Sequence, residues 1–269
     1  MILVLCSPPD PSAAWAAAGL RARGADVLLA TGAELTCALR IEHTVDDGGS
    51  GLALELPLGR RLTAGEVDGV LNRLAVVPRP ATPGVSREDL DYAREELAAV
   101  TLSWLAALAG SGVPFVGSPH PAGLAGEWRY PAEWAALAEA AGLAPAPLRL
   151  RGGLRSAARG DTAARGDTGD GGPAEAALRG SLAGGDGAAR GRSAVVLLGR
   201  VFGAVPPSLH EPLARLADLA EAECLGVRLG PDGEFVAADL VPDLRLCGPA
   251  VLDLLAAALG ARTRTGAPA

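Results

Sequence analysis

Hydrophobic and polar positions alternate between two periods along this chain. Ile2–Leu5 is a continuous apolar run that predicts a buried strand, with Cys6-Ser7-Pro8-Pro9-Asp10 as the loop after it. Asp10 is a natural N-cap, Pro11 fits the first helical position and Gly24 fits the position just past the end. With Val27–Ala30 as a second strand, the chain opens as a βαβ unit. The first loop has no glycine, so it is not a dinucleotide-binding fingerprint. Ser7 and Asp10 still stand at the carboxyl end of a strand, where open α/β sheets take ligands.

Residues 35–62 alternate weakly around a polar turn at Asp46–Gly51 and predict an antiparallel hairpin over one sheet edge, with His43 exposed on it. Asp68–Arg73 reads as another strand ending in the polar pair Asn72 and Arg73. Ser86-Arg87-Glu88-Asp89 resembles a capping box opening a long helix from about Glu88 to Ala109. Leu90, Leu97, Val100, Trp104 and Leu108 fall on one of its faces and predict its core side. Val113–Val116 is a short strand leading into a loop with His120, and Pro131 and Gly142 bracket a further helix.

From Arg151 to Arg192 large apolar residues almost vanish, and Ala-Arg-Gly-Asp-Thr occurs at both 158–162 and 164–168. That composition predicts a flexible linker. Periodicity returns with strands at Ala194–Leu198 and Val201–Val205 and a helix opened by a capping box at Ser208–Glu211. Glu223–Arg245 then reads as a hairpin around Gly230-Pro231-Asp232-Gly233. If its second strand stays extended, Asp239, Val241 and Asp243 share one side. A last helix spans Ala250–Leu259, and Arg262–Ala269 is a frayed tail. The expected organisation is an α/β domain over 1–150, a linker over 151–192 and a reduced α+β lobe over 193–269.

Composition narrows the chemistry. All 24 basic residues are arginine, which excludes a Schiff-base or phosphate-gripping lysine. The net charge of −7 argues against nucleic acid as a partner. Cys6, Cys37, Cys224 and Cys247 are too scattered for a zinc or disulfide framework. No apolar run approaches the ~20 residues needed to span a bilayer, so a cytoplasmic protein is expected.

The order of landmarks resembles the ATP-grasp superfamily, particularly its small bacterial peptide-ligase-like members. The resemblance rests on the βαβ opening, Asn72-Arg73, and the long helix with Tyr92 and Trp104. It also rests on Phe115–Pro119, the phrase Ala140-Ala141-Gly142-Leu143-Ala144-Pro145, and the final Leu225–Asp243 hairpin. It implies an ATP-grasp-like α/β fold, an amino-terminal domain joined by a linker to a carboxyl-terminal lobe. The activity it implies is ATP-dependent activation of a carboxylate for attack by an amine, with Mg²⁺ bridging the phosphates. The family's Glu-x-Asn-Pro magnesium phrase matches Asp239-Leu240-Val241-Pro242, with valine where asparagine is expected. Asp239 and Asp243 are therefore the metal candidates, and Asp239, Asp243 and Arg245 the catalytic ones. Arg129, Arg149, Arg151 and Arg200 are the candidates for neutralising phosphates of ATP in place of lysine.

Three readings follow. The first is a degenerate, non-catalytic ATP-grasp-like accessory protein with a protein or peptide partner. The second is an active Mg·ATP-dependent carboxylate–amine ligase, and the third an unrelated α/β protein. The sequence leaves the substrate and the oligomeric state open.

Overall fold

The structure is a computed structural model, and it describes residues 1–46, 49–78, 84–147 and 191–260. Its first layer is a parallel sheet of β1 (Ile2–Cys6), β2 (Val27–Thr31), β6 (Gly69–Arg73) and β7 (Phe115–Val116), ordered β2-β1-β6-β7. Helix α1 (Pro11–Ala22) makes the crossover from β1 to β2. Asp10 caps it as the sequence implies, its Oδ1 accepting from the Ala13 N–H at 2.9 Å. All five residues of β1 are buried because both faces of the sheet are covered. Ile2, Val4 and Cys6 face one core, Leu3 and Leu5 the other.

The second core is closed by α2 (Gly32–Thr36), α3 (Arg87–Gly110) and an antiparallel sheet of β3 (Arg40–Asp46), β4 (Gly49–Leu56) and β5 (Arg60–Thr63). The expected hairpin is thus a separate three-stranded sheet covering a face, not an edge. Leu52, Leu54 and Leu56 of β4 and Leu62 of β5 point inward at period two. The core side of α3 agrees with expectation at Trp104 and Leu108, and its amino-terminal half is less buried than expected. Thr101, Trp104, Leu105 and Leu108 are buried, while Leu90, Leu97 and Val100 are only half-buried, because the helix meets the sheet over its last turns.

The second sheet is antiparallel, ordered β11-β10-β8-β9, from β8 (Arg192–Leu197), β9 (Arg200–Gly203), β10 (Cys224–Leu229) and β11 (Phe235–Asp239). Helices α4 (Pro131–Ala141) and α5 (His210–Leu219) cover one face through Trp134, Ala138, Leu213 and Leu216. Leu198 and Gly199 both have positive φ, 49° and 74°, forming the tight turn between β8 and β9. The capping box expected at Ser208 is absent. Pro207–Leu209 is a 3₁₀ turn and α5 starts at His210 with Leu209 at the N-cap, so the Ser208 hydroxyl caps nothing there. The stretch read as a linker lies outside the described residues except for its end, where Arg192 already pairs with Leu229.

The last helix, α6 (Ala250–Ala258), returns to the first layer. Val251, Leu252, Leu255 and Leu259 share a core with Ala13, Ala16, Ala17 and Leu20 of α1. Gly19 is what lets the helices meet: a Cβ there would lie 2.4 Å from Leu252 Cδ1. Val195, Leu197, Cys224 and Leu244 join the same core, so the two sheets are packed together through it. Among the described residues no helix is long and apolar enough to cross a membrane.

Candidate functional site

The carboxyl ends of the parallel strands converge on the turn after β11. From β1 come Cys6 and the loop to Asp10, and from β6 come Asn72 and Arg73. Arg73 is 5% exposed, an unusual position for a guanidinium, and it is paired. Its Nε donates to Asp10 Oδ2 at 2.8 Å and its Nη2 to Asp10 Oδ1 at 3.3 Å. Its Nη1 donates to the Pro242 carbonyl at 2.7 Å. Ser12, also buried, accepts through Oγ from the Leu244 N–H at 2.9 Å. The crevice at the end of the first sheet is thus filled by this chain's own residues 242–244.

A further link ties the two sheets together, and a buried amide braces the loop after β7. The amide and hydroxyl of Ser118, in the loop after β7, both donate to the Glu223 carboxylate at the start of β10. Asn72 Nδ2 donates to the carbonyls of Gly117 at 3.0 Å and Leu124 at 2.6 Å, and its Oδ1 accepts from the Leu74 N–H at 3.1 Å. The buried Asn72 amide is fully matched. Gly117, with φ of 86°, passes so near Asn72 that a Cβ would lie 2.2 Å from its backbone oxygen.

The Asp239–Asp243 face expected from the sequence does not form. Strand β11 ends at Asp239, and Asp243 caps the 3₁₀ turn Leu244–Cys247. Between them the chain turns back over Gly226, where a Cβ would come within 2.7 Å of Pro242 Cβ. Side chains alternate only while the strand continues, and β11 stops at Asp239.

Both carboxylates are occupied locally. Asp239 Oδ1 accepts from the Val241 N–H at 2.9 Å. Asp243 Oδ1 accepts from the Arg245 N–H at 3.0 Å and Nε at 2.8 Å, and Oδ2 from Arg245 Nη2 at 2.6 Å. The Arg245 side chain, by these hydrogen bonds, holds the Asp243 carboxyl below its ordinary range, and the Arg245 backbone N–H and the more distant Arg73 add to this. A carboxylate so held, with guanidinium charge on both sides of its turn, does not fit a magnesium ligand. Among the described residues no group of three or more His, Cys, Asp or Glu could hold a metal ion.

The phosphate candidates are dispersed. Arg129 is a framework residue. Its Nη1 donates to the Ala220 carbonyl at 3.1 Å, its Nη2 pairs with Glu127, and its guanidinium lies 5.3 Å from the centroid of the Trp134 ring. Arg200 is exposed at the start of β9, which is an edge strand. Arg149 and Arg151 lie outside the described residues.

Asp10 and Arg73 are both legible in the sequence, but their ion pair and the hold of Arg73 on the Pro242 carbonyl are not. No local pattern announces a contact between residues 73 and 242. Cys6 and Cys224 are buried, and desolvation pushes their thiols up to about 11 and about 12. They are core residues.

No family model matches the sequence, and no curated protein matches it. Solved structures do match. The macrocyclase MdnC from Microcystis aeruginosa, bound with precursor peptide MdnA, superposes with a TM-score of 0.65 at 10% identity, over 97% of this chain and 100% of that one. The ATP-grasp ligase PsnB, complexed with precursor peptide PsnA2 and AMPPNP, gives 0.61 at 16% identity, over 96% and 98%. A RiPP-associated ATP-grasp ligase from Chryseobacterium gregarium, in complex with ADP and a leader and core peptide, gives 0.60 at 12% identity, over 95% and 96%. Identities this low speak to architecture alone, and the architecture agrees with the resemblance read from Asn72-Arg73 and the final hairpin: this chain has the fold of the ATP-grasp ligases.

Proposed function

We propose that this chain is a non-catalytic accessory protein built on the ATP-grasp fold, and that its partner is a peptide. The observation that carries the reading is the engagement of Asp243 by Arg245, which fills both carboxylate oxygens of the metal candidate that directly follows the residues matched to the metal-binding phrase. Val241 supplies no side-chain oxygen between the two acids. Transfer of a phosphoryl group needs its charge neutralised by metal and cations together. Here the cations flanking the turn, Arg73 and Arg245, are spent on Asp10, Asp243 and a backbone carbonyl. The peptide partner is supported by neighbours of this fold that were solved with precursor or leader peptides in place.

Calorimetric titration with Mg·ATP tests the first half of the reading. The expected result is no saturable heat for the wild type. Saturable binding that Asp239→Ala abolishes would favour the alternative, an ATP-dependent carboxylate–amine ligase using Asp239 and a released Asp243.

A further inference from the structure

The three-stranded sheet β3-β4-β5 has one open side. Arg60 of β5 reaches the first sheet, its Nη1 donating to the Leu29 carbonyl of β2 at 3.2 Å. At the other end stands β3, and among the described residues no strand pairs with its outer edge. An edge strand presents a row of unpaired N–H and C=O groups, a template for another strand. This edge is braced from behind. His43 Nδ1 donates to the Gly51 carbonyl at 3.1 Å, and its Nε2 lies 3.0 Å from Ser103 Oγ on α3. A strand already held in place loses little freedom on pairing.

Charge alternates in sign across the solvent face of this sheet. Arg40, Glu42, Ala53, Glu55 and Arg61 line one shallow concavity there. Arg61 stands opposite Glu55, and Glu55 opposite Arg40. Arg40 also pairs with Glu42, two residues along β3, and both are exposed. On the other face of β3, Ile41 is 38% exposed and lines an apolar cleft with Leu97 and Val100 of α3. Leu39, just before the strand, is 70% exposed.

We propose that β3 pairs with β3 of a second copy of this chain, antiparallel and centred on Ile41, joining two three-stranded sheets into one. Charge complementarity selects this occupant. With Ile41 opposite Ile41, Arg40 of each chain falls opposite Glu42 of the other. The row Arg61, Glu55, Arg40 then continues into Glu42 of the second copy, with opposite signs at every step. Centring on a charged neighbour instead sets Arg40 or Glu42 against its own copy, which is repulsive. The contact is two-fold and closes on itself, as in most homodimers. Its axis stands perpendicular to the joined sheet, so both α3 helices lie on one face and the two apolar clefts meet at Ile41. Neither nucleotide nor peptide is needed for the pairing, which goes beyond the function proposed above.

Sedimentation equilibrium of the full chain without nucleotide is the test. The wild type should show a monomer–dimer equilibrium that added salt weakens. Arg40→Glu makes both facing pairs acidic, and Glu42→Arg makes both basic. Each variant, with the circular dichroism of the wild type, should raise the dimer dissociation constant at least about tenfold. Mixed in equal amounts, the two variants meet with opposite signs in both pairs and should form dimers that neither forms alone. Amide hydrogen exchange over residues 40–44 of the wild type should slow as its concentration rises. A wild type that stays monomeric at every concentration would overturn the proposal and leave the edge to another occupant, such as an extended peptide. A dimer that both variants leave intact, or a mixture of folded variants that fails to associate, would overturn it as well.

Discussion

Arg73 and Asp10 form a buried ion pair at the carboxyl ends of adjacent strands, with Nε and Oδ2 2.8 Å apart, and the same guanidinium holds the carbonyl of Pro242. One side chain therefore joins β6, the first helix cap and the turn that follows the final hairpin. Removing one partner of such a pair leaves an uncompensated buried charge. Arg73→Ala should destabilise the protein by roughly 3–5 kcal/mol, measured by urea denaturation. Asp10→Asn keeps the helix cap and should cost less than Asp10→Ala.

Gly117→Ala combines a backbone clash at Asn72 with a φ of 86°. It should cost about 2 kcal/mol or more, because neither the carbonyl nor the turn can move freely. Gly24→Ala has a similar φ of 83° but open space around its Cβ, and should cost clearly less. A chemical denaturation series on the two variants separates strain from clash.

The folded state holds the Asp243 carboxyl below its ordinary value, first through its Arg245 hydrogen bonds. The sign follows from linkage. Stabilisation from this group is present above the unfolded carboxyl's pKa and is lost as pH falls through the lowered folded value. Asp243→Asn should flatten the decline of the melting temperature as pH falls below the ordinary carboxylate range of about 4, with a smaller difference from wild type at high salt. An acid limb identical to wild type would contradict the observed pair.

Desolvation raises the Cys6 and Cys224 thiols to about 11 and about 12, and Cys37 is exposed. A thiol-reactive disulfide reagent at pH 8 should label Cys37 quickly. Cys6 and Cys224 should react only as the protein unfolds, since the thiolate is the reacting species. Cys247, half-buried and raised to about 11, should fall between them.

Much of the architecture was legible from residue patterns. The run Ile2–Leu5, the Asp10-Pro11 helix start, Gly142 past the end of α4 and the Gly230–Gly233 turn each act locally, and each element formed where its signal stood. Ser208 failed as a cap because Pro206-Pro207 favour a 3₁₀ turn ahead of the helix. The candidate site was legible only in part. Asp239 and Asp243 were found by alternation, but Gly226 lets the chain fold back over the sheet, so the alternation ends at Asp239. Arg129 read as a free cation because no sequence rule announces a carbonyl acceptor at residue 220.

Arginines hold the turn from Asp239 to Asp243, and in the function proposed above that turn does not serve Mg·ATP. Thermal melting with and without millimolar Mg·ATP tests it most directly. A ligand at 100 times its Kd stabilises the native state by about 2.7 kcal/mol, a shift of roughly 5–10 °C for a chain of this size. The wild type is expected to show no shift. A clear rise in melting temperature that disappears in Asp239→Ala would contradict it.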